Sequence, residues 1–216
     1  MTGTPAVADG SDLILDISRP LSPEVPVWPG DRPFRLVQEA QGSGMVSWFS
    51  TTCHVGSHLD AHRHLDATAG GLETIPLERL IGPAEVVAAC GPLITPGSLP
   101  PGFEPSKPRL LLKTGSHPIG APIGAGFAAL APDLVHWLAD RGVVLVGVDT
   151  PSVDPFESDS LPAHQALVVR GMTWIEGLWL DHAAAGVYTL VALPLPLVGA
   201  DAAPVRAVVL PGAVGQ

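Results

Sequence analysis

Apolar positions fall into short dense runs separated by connections rich in proline and glycine. Residues 13–17, Leu-Ile-Leu-Asp-Ile, have the density of a buried strand. The stretch Val25-Pro-Val-Trp-Pro-Gly30 that follows must be extended or turning, because its proline spacing forbids a helix. Residues 46–65 predict a strand leading into an irregular segment, 75–80 a single helical turn, and 84–89 a strand, with 91–108 a loop. Further short strands are predicted over 109–113, 143–148, 174–180, 188–195 and 205–210. The clearest helix is 132–141, where Pro132 suits a first turn, Leu134, Val135 and Leu138 form one apolar face, and Gly142 stops it. Residues 161–170 read as a second helix. Asp149 follows the strand 143–148 at its carboxyl end, where α/β sheets keep their chemistry, although an aspartate there equally caps a turn.

Composition narrows the class. With 216 residues, 46% hydrophobic and 15% charged, the expectation is one compact domain over 13–212 behind a flexible segment, 1–12. Glycine and proline, 24 of each, exceed their ordinary shares of roughly 7% and 5% without any collagen-like period. Prolines spread along the whole chain disfavour a helical bundle, leaving an α/β or β-rich domain of many short elements. Eleven Lys and Arg against 21 Asp and Glu give a net charge of −10, so neither nucleic acid nor an anionic membrane is an expected partner. The first residues lack a signal-peptide pattern, and the longest apolar stretch, 187–200, is broken by Pro194 and Pro196; a soluble cytoplasmic protein is expected. Cys53 and Cys90 are too few for a disulfide framework and read as reduced thiols, and the glycine-rich 115–126 lacks the lysine of a phosphate loop.

Four of the eight histidines fall within eleven residues, in His54-Val-Gly-Ser-His58-Leu-Asp60-Ala-His62-Arg-His64-Leu65. Every polar candidate sits at an even position, so extended backbone places His54, His58, Asp60, His62 and His64 on one face. A straight strand separates His54 and His58 by about 13 Å, the outer limit for two imidazoles on one ion. The segment must therefore bend, and Gly56 is the residue best able to allow it. His54, His58 and Asp60 then form a nitrogen, nitrogen, oxygen set suited to zinc and also to manganese or iron. The alternative is a row of surface histidines on an exposed strand. Asp60 can bridge a second ion, for which His164 and Glu176 are candidates: a carboxylate inside the apolar strand 174–180 asks for a cation. A helix-capping histidine and a salt-bridged glutamate are the alternatives there.

Five stretches carry a resemblance: Asp16-Ile-Ser-Arg-Pro-Leu-Ser-Pro23, Pro26-Val-Trp-Pro-Gly-Asp31, the His-Val-Gly-Ser-His-Leu-Asp-Ala motif, Gly147-Val-Asp-Thr-Pro-Ser-Val-Asp154, and the closing run from Ala192 to Arg206. Together they resemble the bacterial kynurenine formamidases of the metal-dependent cyclase superfamily, from about residue 13 to residue 210. The resemblance implies an α/β fold of the swivelling β/β/α type with a mixed sheet and short helices, a homodimer, and two zinc ions per subunit, manganese being the substitute. It implies His54, His58 and Asp60 on one ion, Asp60, His164 and Glu176 on the other, His64 as the proton-transferring histidine and Trp28 as a substrate-stacking residue. The implied reaction is hydrolysis of N-formyl-L-kynurenine to L-kynurenine and formate in tryptophan degradation. The runner-up is a related hydrolase or cyclase acting on another amide, lactam or polyketide-like substrate, and a third reading is a metal-containing binding protein without catalysis, which the intact His64 opposes. Two positions depart from the family pattern, His62 where proline is usual and Leu65 where an aromatic is usual, and both are expected in the site wall. His62 shares the ligands' parity and reads either as a group supporting the ligands or facing the substrate or as a merely exposed histidine, whereas Cys53, of opposite parity, is expected behind the strand rather than as a nucleophile.

Overall fold

The computed structural model describes residues 14–212, so the expected flexible segment 1–12 lies outside the described residues. In chain order the elements are β1 (Leu15–Asp16), β2 (Arg35–Gln41), β3 (Gly44–Ser50), β4 (His58–Asp60), β5 (Ile81–Ala88), β6 (Leu93–Ile94), β7 (Arg109–Lys113), β8 (Ala129–Leu130), α1 (Pro132–Ala139), β9 (Leu145–Val148), α2 (Pro162–Val169), β10 (Thr173–Glu176), β11 (Gly186–Pro194) and β12 (Ala202–Pro211). The expected mixed sheet and short helices are present. The sheet does not stay open, however: its order is β1-β12-β11-β5-β7-β9-β10-β4, and β4 also pairs with β12, which closes seven strands into a barrel. The fold is thus mostly β, a correction to the α/β expectation. Strands β5, β7, β9 and β10 run parallel to their neighbours among themselves, while β4, β11 and β12 pair antiparallel.

Side-chain alternation makes two cores from the same strands. One face of every barrel strand enters a single cluster, with Leu59 from β4, Val86 from β5, Leu111 from β7, Leu145 from β9, Ile175 from β10, Leu190 from β11 and Val209 from β12. A barrel of this size is filled by its own side chains. The outward residues Leu110, Leu112, Val146, Val148 and Trp174 pack instead under α1 and α2, against Leu134, Leu138 and Leu167. Parallel strands covered on both faces read as unbroken apolar runs, which is why 109–113 and 143–148 were recognisable as strands.

The hairpin of β2 and β3 lies apart from the barrel sheet. Its first strand, Arg-Leu-Val-Gln-Glu-Ala-Gln, is mostly polar and almost wholly exposed, so it carries no core signal and was not expected. Both cysteines are free. No helix among the described residues is long and apolar enough to cross a membrane.

Candidate metal centre

The centre is built where β4 meets β10. Antiparallel register sets Glu176 opposite His58 and Trp174 opposite Asp60, so two short strands deliver three of the polar groups. His54 precedes the strand and is brought back over it by a turn at Gly56, whose φ is 60°. The anticipated bend is therefore present, at the anticipated glycine. Close approach from Gly177 (φ 67°) completes it: a Cβ on Gly177 would run into the Gly56 carbonyl oxygen. Beyond Asp60 the parity argument ends, because the chain leaves the strand and enters a 3-10 turn, His62–His64. That turn returns His64 to the centre, its ring centroid 4.4 Å from that of His54 and 5.6 Å from that of His164.

His164 sits in the first turn of α2. Leu161, before Pro162, adopts left-handed backbone at φ 47°, and no side chain of its own caps the helix. Asp154, from the loop after β9, does so instead, accepting the Ala163 and His164 N–H groups at 2.8 and 3.0 Å. The same carboxylate lies 2.7 Å from His164 Nδ1, which leaves Nε2 to face the centre. His58 is held alike, its Nδ1 3.1 Å from the Gly56 carbonyl oxygen. For His54 the partner is Asp201, at 3.0 Å from Nε2. Trp174 Nε1 donates to Asp60 Oδ2 at 3.2 Å, and the Val153 N–H donates to Glu176 Oε1 at 2.8 Å.

The inward atoms converge. His54 Nδ1 and His58 Nε2 stand 3.1 and 3.5 Å from Asp60 Oδ1, while His164 Nε2 stands 3.6 Å from Oδ2. Glu176 bridges the other side, Oε2 at 3.2 Å from His58 Nε2 and Oε1 at 3.3 Å from His164 Nε2. Despite this proximity, His58 Nε2, Asp60 Oδ1 and His164 Nε2 are buried without a hydrogen bond of acceptable geometry. Buried polar atoms are seldom left so, and the spacing explains why these are. Ligands about 2.0–2.1 Å from a tetrahedral ion lie roughly 3.3–3.5 Å from one another. The donor set therefore fits a metal better than it fits a hydrogen-bond network. Asp60 turns Oδ1 to His54 and His58 and Oδ2 to His164.

Electrostatics point the same way. Burial raises the Asp60 and Glu176 pKa values, but the surrounding histidines outweigh it; Asp60 falls well below the carboxylate range, and Glu176, pushed up also by Asp60, ends at about 2. Burial opposes a charge on His54, yet Asp60 and Asp201 raise its pKa to about 10, and His164 is raised by Asp154, Asp60 and Glu176. Two buried carboxylates thus demand positive charge, from protons or from metal.

The centre opens into a cavity of about 600 Å³ lined by Trp28, His54, His64, Phe156 and His164. Trp28 leans on Phe156 at 5.0 Å and meets Phe127 edge-on at 6.4 Å. Cys53 also lines this cavity rather than lying behind the strand, and burial and Asp201 push its thiol pKa up. His62 and Leu65 do not line it. His62 turns away, stacking on Trp174 at 5.9 Å with Nε2 3.1 Å from the Met172 carbonyl oxygen. Asp149 is a latch, accepting the Thr114 and Gly115 N–H groups at 2.9 and 2.8 Å. Asp154 and Asp201 lie in the motif stretches 147–154 and 192–206, but a lone loop aspartate carries no periodic signal that points to a role.

A buried cluster of His, Asp and Glu on the outer face of the barrel wall, facing α2 and opening on a cavity with an aromatic side, has the donor set of a metal-dependent hydrolase. The chain belongs to the Putative cyclase family, whose model matches residues 15–155. A kynurenine formamidase from Bordetella petrii is 42% identical over 203 residues, 90% of this chain and 96% of that one. A solved structure described as a potential metal-dependent hydrolase with cyclase activity superposes with a TM-score of 0.79 at 28% identity, covering 91% of this chain and 96% of the other. The isatin hydrolase A of Labrenzia aggregata shares the fold, with a TM-score of 0.72 at 22% identity over 91% of this chain and 93% of that one.

Proposed function

We propose that this protein is a kynurenine formamidase, hydrolysing the formamide of N-formyl-L-kynurenine to L-kynurenine and formate. The observation that carries the reading is the convergence of orphaned His58 Nε2, His164 Nε2 and Asp60 Oδ1, in a chain 42% identical to a kynurenine formamidase. His54, His58 and Asp60 would hold one zinc ion and Asp60, His164 and Glu176 a second, with manganese the ion the same ligands also accept. Bound there, the ions supply acidified water and polarisation of the formyl carbonyl.

The chain's own groups do the rest. Trp28, steadied by Phe156 and Phe127, offers an aromatic face to the anthraniloyl ring. His64 takes the proton from the attacking water and returns it to the arylamine nitrogen as the formyl C–N bond breaks. Asp154, Asp201 and the Gly56 carbonyl keep the ligand imidazoles oriented. Zinc-loaded protein is expected to release kynurenine from N-formyl-L-kynurenine and to leave isatin intact. No turnover of the first substrate by metal-analysed protein would sink the reading.

A homodimer and a cytoplasmic location accompany this proposal. Leu36, Met45, Val46, Trp48 and Phe49 on the β2–β3 hairpin are 43–63% exposed, and a lone two-stranded hairpin is marginal in water. A second copy covering the hairpin accounts for that apolar surface. Light scattering should give a dimer for the wild type and a monomer for Trp48→Glu; a monomeric wild type would remove this part of the proposal. Two free thiols suit a reducing compartment.

A further inference from the structure

We propose that Asp201 is a positioning residue of this site, fixing through a single oxygen both the metal-facing atom of His54 and the proton-accepting atom of His64. The proposal rests on the formamidase reading for the roles of the two histidines, but not for the contacts.

Asp201 lies just before β12, where Ala202 pairs with Asp60, and its backbone carbonyl accepts the Ala61 N–H at 2.8 Å. The ladder that places Asp60 therefore places Asp201 as well. Its Oδ2 stands 3.0 Å from His54 Nε2 and 3.5 Å from His64 Nδ1. An ionised carboxylate only accepts, so a ring nitrogen turned to it must carry the hydrogen. In His54 this leaves Nδ1, the atom 3.1 Å from Asp60 Oδ1, as the one that would give its lone pair to an ion once the ion takes the place of the proton between them. In His64 it leaves the lone pair on Nε2, free to act as base.

His58 and His164 have separate acceptors, the Gly56 carbonyl and Asp154. Asp201 differs in serving two imidazoles with unlike tasks. The Asp201 side chain is 44% exposed, so its removal leaves no buried charge unpaired, and an effect on chemistry is separable from an effect on folding.

The test compares wild type with Asp201→Ala and the near-isosteric Asp201→Asn. Zinc affinity is measured by competition with a chromophoric chelator, kcat and KM on N-formyl-L-kynurenine at saturating zinc, and the histidine ring tautomers by ¹⁵N spectroscopy. Asp201→Ala should weaken zinc binding about 10- to 100-fold. At saturating zinc its kcat should fall at least about 10-fold with KM nearly unchanged, and added acetate should restore part of the loss. Asp201→Asn, which keeps one acceptor oxygen, should fall between, with His54 no longer uniformly the Nε2–H tautomer. Wild-type zinc affinity and kcat in both variants would overturn the proposal, as would a rise in KM with kcat unchanged, which would make Asp201 a substrate contact. If Asp201→Ala fails to fold, Asp201→Asn alone decides. If wild type itself does not hydrolyse N-formyl-L-kynurenine, the formamidase reading fails, while zinc affinity and tautomer still judge Asp201.

Discussion

His64 makes no ion pair with Asp60 or Glu176, although a ring nitrogen lies within 4.8 Å of ligand atoms of Asp60 and His164, and it stands beside His54 at the cavity wall. A group so placed can move a proton without holding an ion. His64→Ala should therefore lower kcat by about 10²- to 10⁴-fold while zinc content, read by elemental analysis, stays at the wild-type level. Wild-type turnover in that variant would remove His64 from the mechanism. At this scale much was legible, because physical constraints act on single residues. The density of histidines over 54–64 marked the cluster, and the cost of burying Glu176 without a cation marked its partner. His62 does not reach the cavity for a reason that can be stated: parity holds only while a strand lasts, and β4 ends at Asp60, so His62 meets the centre through Trp174, which donates to Asp60. Asp154 and Asp201 were illegible because the first caps α2 from outside the usual capping position, ahead of a left-handed Leu161, and the second meets histidines 147 and 137 positions away.

Among elements, the β4–β10 pair depends on two glycines that meet backbone to backbone. Gly56 could be singled out because the histidine spacing required a bend next to it. Gly177 could not, since its demand comes from a carbonyl 121 positions away by subtraction of the residue numbers. Gly142 provides a comparison, with φ 80° and nothing within 4 Å of a built Cβ. Gly142→Ala should lose only the left-handed preference, about 1–2 kcal/mol. Gly177→Ala carries that penalty together with a backbone collision that no rotamer relieves, so it should cost clearly more and weaken zinc binding as well. Thermal unfolding and zinc titration of the two variants check this; equal losses in both would mean that the Gly56–Gly177 approach does not hold the centre together. Strand runs and both helices were recognisable within a few residues of their observed ends. β2 was not, having no buried face, and β6 and β8, of two residues each, are too short for any periodicity.

The whole molecule adds a property that belongs to no element, closure. Three residues of β4 pair with β10 on one side and β12 on the other, over 100 residues along the chain, and no local pattern announces such pairing. Closure fixes the register of β4 and β10, and the outward Asp60 and Glu176 on them, both less than 4% exposed, are covered by His164 of α2 and the Val153 loop, in a chain that already carries ten excess negative charges. Stability must then depend on what supplies the positive charge. With protons alone, His54, raised from 6.5 to about 10, contributes fully below pH 6.5 and loses its contribution as pH rises through about 10. Glu176, lowered from 4.5 to about 2, contributes fully above pH 4.5 and loses its contribution as pH falls through about 2. Chelator-treated protein should accordingly melt highest between about pH 4.5 and 6.5 and decline on the alkaline side. A divalent ion needs its histidine ligands unprotonated, so zinc competes with those protons and binds better as pH rises. At 100 times its dissociation constant a ligand stabilises by about 2.7 kcal/mol, enough to lift the melting temperature by several degrees. Melting curves with chelator and with zinc should thus lie close together near about pH 5 and diverge toward about pH 8, the zinc curve holding where the chelated one falls. A zinc-induced shift of equal size at both pH values would show that the ion does not take the place of the protons on His54 and His164.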